Sequence, residues 1–142
     1  MQERQHEKEK KVIDFLVQRG IAKDVHEDFS TGVDVYLFHN NIWSPFDLKV
    51  SNSKKLTAFK YYKGKWYSPL LLHTDVPYLY IIERETDYLG FILYKDDILK
   101  HFTKYSSSVY TGDGNINICI ELNNLMDIAK DVITFEKGEL NE

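Results

Sequence analysis

A chain of 142 residues, 43% apolar and 14% aromatic, can build one domain with its own core and is too apolar to be a disordered polyelectrolyte. Its single cysteine, Cys119, excludes a disulfide framework and a cysteine-based zinc site within the chain. The net charge of −4 argues against a uniformly basic nucleic-acid binder, but six lysines and no acidic residue lie between Lys49 and Tyr67, so the remainder carries about −10.

The opening MQERQHEKEK has no apolar stretch and so is no secretory signal. No run approaches the ~20 apolar residues that span a bilayer, and a soluble, cytoplasmic protein is expected. Residues 5–19 read as an amphipathic helix with Val12, Ile13, Leu16 and Val17 on one stripe and Gly20 as the stop. Glu7, Lys11, Asp14 and Gln18 form its polar face. Glu9 lies three residues before Val12 and four before Ile13, so it extends the apolar stripe.

A short extended segment is expected over 22–28. From Gly32 to Phe38 the chain alternates, with Asp34, Tyr36 and Phe38 on one face and Val33, Val35 and Leu37 on the other. His39-Asn40-Asn41 supplies a turn, and residues 42–50 return as a strand in which Pro45 marks an edge or bulge. Asp47 and Lys49 share one face of that strand; Phe46, Leu48 and Val50 point the other way. Between Ser51 and Val76 two readings stand, a hairpin around Lys63-Gly64 or a short helix followed by a strand. Segments 77–83 and 88–94 read as a strand pair, and Asp96-Asp97 as a helix start. A polar loop over 106–114, a strand over 115–122 holding an inert Cys119, and a last helix from Asn123-Asn124 to about Val132 complete the chain. The expectation is a mixed α/β (α+β) fold in one domain, residues 1–135, with a central mixed sheet flanked by helices and a frayed tail over 136–142.

The chemistry concentrates in TGVDVYLFHNNIWSPFDLKVS. If its two strands pair, Asp34 and Asp47 converge, and Lys49 follows on the same face. Carboxylates that hold Mg²⁺ or Mn²⁺, with an ammonium beside them, are the equipment for phosphodiester hydrolysis. Asp34 and Asp47 are the candidate metal ligands, the Leu48 carbonyl a third oxygen, and Lys49 the cationic helper. Glu9 can reach the cluster from the helix. The acid-x-Lys triplet alone carries little, since Glu9-Lys10-Lys11 repeats it. The competing account is a surface Asp–Lys pair of small energetic worth.

This order of helix with Glu9, Gly-Val-Asp34, hairpin, and Asp47-Leu48-Lys49 resembles the PD-(D/E)xK nuclease superfamily over residues 6–51. The likeness is nearest to its restriction-endonuclease-like and Holliday junction resolvase-like members. The resemblance implies a Mg²⁺-dependent DNA endonuclease of recombination, repair or restriction, acting on branched or double-stranded DNA as a homodimer. It matches Glu9 to the helical acid, Asp34 and Asp47 to the metal ligands and Lys49 to the catalytic lysine. Two departures stand out: Val33 replaces the proline, and no clear helix follows the acid-x-Lys strand.

Lys54, Lys55, Lys60, Lys63 and Lys65 are suited to backbone phosphates. Phe59, Tyr61, Tyr62, Trp66 and Tyr67 are interleaved with them, either as core or as platforms for unpaired bases. The five histidines form no pair at zinc-ligand spacing, and neither a phosphate-cradling glycine loop nor a Gly-x-Ser-x-Gly elbow occurs. The alternative function is a catalytically silent module of the same fold that binds DNA or a protein partner.

Overall fold

Amphipathic spacing at the N-terminus produces a helix, α1 (Gln2–Gln18), that buries Val12, Phe15 and Leu16. The structure, a computed structural model, describes residues 2–24, 32–51, 55–110 and 116–138. After α1 come β1 (Ala22–Asp24), β2 (Val35–His39), β3 (Ile42–Ser51), β4 (Lys55–Tyr62) and β5 (Lys65–Tyr67). A 3₁₀ turn (Pro69–Leu71) leads into β6 (Tyr78–Glu83) and β7 (Asp87–Leu93). The chain ends with α2 (Lys95–Tyr105), β8 (Ser106–Tyr110), β9 (Ile116–Glu121), α3 (Leu122–Ile128) and β10 (Asp131–Glu136).

Two sheets result. The larger has six strands in the order β1-β2-β3-β6-β7-β10, and the smaller has four in the order β5-β4-β9-β8. The fold is mixed α+β, as the alternation of patterns predicts. Every pairing in the larger sheet is antiparallel except β3 with β6, which run parallel. That parallel step needs a long crossover, and the β4–β5 hairpin lies within it and joins the second sheet. Of the two readings for 51–76 the hairpin is the correct one.

The two tight turns explain themselves. Asn40 and Asn41 (φ 52° and 67°) close β2 to β3, and Lys63 and Gly64 (φ 50° and 78°) close β4 to β5. Both are two-residue loops with two positive φ values, the geometry that matches strand twist. Pro45 sits in an interior strand. The β6 ladder reaches β3 only from Asp47 onward, so Pro45 lies before the stretch where a donor is needed on that side.

The core has two compartments, one on each face of the large sheet. Val12 and Leu16 of α1 pack with Val35, Leu37, Phe46, Leu48 and Val50 on the first. On the second, Tyr78, Tyr80, Phe91 and Leu93 meet Leu56 and Ile120 of the small sheet, Ile98 of α2 and Leu125 of α3.

Two expectations need correction. Residues 106–110 are not loop but strand β8, paired along its length with β9; three serines hid a strand whose partner supplies the ladder. The last helix stops at Ile128 rather than near Val132, because Ala129 leaves the helical region and residues 131–136 pair with β7. Phe135 is buried there, so the ordered fold runs through Glu136. Residues 25–28, 52–54, 111–115 and 139–142 of the expected segments lie outside the described residues, His26 and Lys54 among them.

Candidate active site

The β2–β3 register sets the site. Val35 faces Phe46, and the Asp34 N–H donates to the Phe46 carbonyl at 2.9 Å, which puts Asp34 opposite Asp47. At this point β3 passes from antiparallel pairing with β2 to parallel pairing with β6, beginning at Asp47 beside Tyr78. Because β2 begins only at Val35, the edge of β3 beyond Phe46 on that side needs other partners for its backbone groups. The Leu48 N–H duly donates to Asp34 Oδ2 at 2.8 Å. Since the N–H and C=O of an extended residue point to one side of the strand, the Leu48 carbonyl lies on this same edge of β3.

The two carboxylates are within hydrogen-bonding reach of each other, and Asp34 is pushed up to about 6. Burial is the largest cause. The Leu48 N–H opposes it, while the charges of Asp47 and Glu9 add to it. One consequence concerns pH. A raised native value means that protonated Asp34 stabilises the fold; this contribution is complete below the unfolded value of 3.8 and is lost as pH rises through about 6. Asp34→Asn keeps the acceptor for Leu48 and mimics the protonated acid. It is expected to raise Tm at pH 8 and to leave it unchanged at pH 4, measured by thermal melts at both.

The ammonium at Asp47 belongs to a residue that the sequence does not single out. Lys95, the first residue of α2, has a side chain with 0% exposure, against 19% for Asp47. Its Nζ donates to Asp47 Oδ2 at 3.3 Å, to the Leu72 carbonyl at 2.8 Å and to the His73 carbonyl at 3.2 Å. All three ammonium donors are therefore engaged. The ring centroid of Tyr78 lies 4.7 Å from the same nitrogen. A cation at a helix N-terminus opposes the helix dipole, so Asp47 and the two carbonyls must hold it there.

Lys49 is half-buried on the same face as Asp47, with Nζ 5.9 Å from the Tyr78 ring. The Tyr78 hydroxyl is buried, and among the described residues it has no hydrogen-bond partner. Burial and the charge of Asp47 hold its proton on more tightly than usual. Glu9 is half-buried on α1, and its charge reaches Asp34. Among the described residues no group of three or more His, Cys, Asp or Glu side chains is placed to hold a metal ion. The convergent set is thus a carboxylate pair with a nearby backbone oxygen. Such a set fits Mg²⁺, which is commonly held by one or two carboxylates with water and substrate oxygens completing the shell.

No family model, curated protein or solved structure matches this chain. Of the lysines expected at phosphates, Lys60, Lys63 and Lys65 are exposed on the β4–β5 hairpin, and Lys55 opens β4. A groove of about 430 Å³ lies elsewhere, along α1 between Lys10, Asp14, Gln18 and Tyr88, away from the acidic pair. No described helix is long and apolar enough to cross a membrane.

His73 and Gly32 complete the surroundings. Gly32 has φ +74°, and a Cβ there would come within 2.5 Å of the His73 ring. The strand leading to Asp34 and the loop gripped by Lys95 therefore touch. Gly32→Ala is expected to cost about 1–2 kcal/mol through backbone strain and to displace His73. A chemical-denaturation curve measures the first, and a shift of the His73 ring resonances in NMR reports the second.

Proposed function

We propose that this chain is a Mg²⁺-dependent DNA endonuclease of the PD-(D/E)xK type. The observation that supports the reading is the pairing of Asp34 with Asp47 at the end of a hairpin, each with one oxygen held by the protein. Leu48 N–H fixes Oδ2 of Asp34, and Lys95 fixes Oδ2 of Asp47. Asp34, pushed up first by burial and then by the charge of Asp47, would give up its proton to a bound cation. When bound, Mg²⁺ would supply charge neutralisation at the phosphate and an activated water.

The chain's own residues would do the rest. Asp34 and Asp47, with the Leu48 carbonyl, would hold the cation. Lys49 would stand beside the scissile phosphate as its electrostatic partner. Lys95, wholly buried, is a positioning residue that orients Asp47. Glu9 would act through its charge on Asp34. The homodimer belongs to the same proposal, since cutting both strands calls for two sites.

One observation favours the second reading, a catalytically silent module. Lys95 already neutralises Asp47, so the site can persist without metal. Supercoiled, branched and single-stranded DNA incubated with Mg²⁺ or Mn²⁺ separates the two. Cleavage of any of them supports the nuclease. Folded protein that cuts none of them and takes up no Mn²⁺ in a calorimetric titration leaves only the silent module.

A further inference from the structure

The β4–β5 hairpin carries rings that the core does not use. Tyr62, Trp66 and Tyr67 are 38%, 53% and 50% exposed. Paired residues of antiparallel strands project to the same side, so Lys60 with Tyr67 and Tyr62 with Lys65 occupy one face. Tyr61 and Trp66 occupy the other, with ring centroids 5.0 Å apart, on the side where Phe59 packs into the second core. The outer face is therefore Lys60, Tyr62, Lys65 and Tyr67, with Lys63 at the turn. Lys60 and Lys63 place their Nζ 5.4 and 5.1 Å from the Tyr62 ring.

We infer that this hairpin face binds unpaired nucleotides of DNA, the rings taking bases and the lysines taking phosphates. The inference rests on the DNA reading above and narrows its substrate to DNA with a single-stranded part. Charge complementarity carries it, because no acidic residue occurs between Lys49 and Tyr67. Exposed rings add what phosphate contact alone would not need. In a duplex the base faces are stacked away from such rings, whereas in a single strand they are open. Tyr62 and Tyr67 sit diagonally across the two strands, about 7–8 Å apart at such positions, so each can take its own base. The face has no aliphatic side chain to enter a lipid layer.

Fluorescence anisotropy in EDTA, where metal-dependent cutting is suppressed, tests it with labelled oligothymidylate and a blunt duplex of equal length. Single strand is expected to bind at least about tenfold tighter than duplex. Tyr62→Ala/Tyr67→Ala is expected to remove that preference, and Tyr62→Phe/Tyr67→Phe to retain it. Lys60→Gln/Lys65→Gln is expected to weaken both ligands and lower the salt slope by about 2. Equal affinity for the two DNAs, indifference to ring removal, or binding to phosphatidylserine vesicles without binding to oligonucleotide each overturns the inference. Failure of catalysis is distinguishable: a protein that never cuts can still prefer single strands, and a protein that cuts can lack the preference.

Discussion

On the proposed nuclease reading, Asp47→Asn is expected to reduce metal-dependent DNA cleavage by more than about 100-fold, since even outer-shell partners of a metal ligand commonly contribute 10–100-fold. The choice of substituent follows from Lys95. Asp47→Ala would remove the acceptor and leave a wholly buried ammonium without its counter-charge, a loss of about 3–5 kcal/mol. Lost activity in an alanine variant would then mix the missing carboxylate with a destabilised fold. Asparagine keeps an oxygen toward Lys95 Nζ and removes only the charge. Parallel measurements of Tm, Mn²⁺ binding and plasmid nicking distinguish the cases. A folded Asp47→Asn protein that cuts as fast as the parent would refute the role assigned to Asp47.

The strands that build the site were legible in the sequence because their signals are local. Alternation around Asp34, two asparagines at a two-residue turn, and the return strand to Asp47 all lie within some twenty residues. Burial agrees with that alternation from Val33 to Leu37. Lys95 was not legible. It stands before Asp96-Asp97, where any lysine reads as part of a solvated helix start, and its partner lies 48 residues earlier. His73 was equally hidden, since its approach to Gly32 depends on a crossover whose course no local pattern records. β8 was missed for a related reason: three consecutive serines carry no strand pattern, and the ladder is seen only in its pairing with β9. The rings of the hairpin, open to either reading by sequence, divide: Phe59 packs on the second core, and Tyr62, Trp66 and Tyr67 are exposed. Their alternation fits a core strand, and only the position of β5 at the edge of the small sheet leaves them exposed.

Lys95→Met gives the second large effect and separates positioning from simple support. It removes a buried cation, leaving the Leu72 carbonyl without the Lys95 donor, the His73 carbonyl with the Val76 N–H alone, and Asp47 without its counter-charge. The expected loss is about 3 kcal/mol, the lower end for a broken buried pair because Asp47 keeps some solvent contact. For a domain of this size that is a fall in Tm of roughly 10 °C. Lys49→Met, at a half-buried position, is expected to change Tm by only a few degrees while reducing cleavage. The double variant Lys95→Met/Asp47→Leu replaces the pair by apolar side chains and is expected to recover much of the stability without any activity. Stability alone would not identify Lys95 as a positioning residue, so the pH profile carries that claim. With the ammonium gone, the charge of Asp47 stands uncompensated beside Asp34, and the midpoint for Mn²⁺ uptake is expected to move to higher pH. An unmoved midpoint in folded Lys95→Met protein would reduce Lys95 to a structural pin beneath the Leu72–His73 loop.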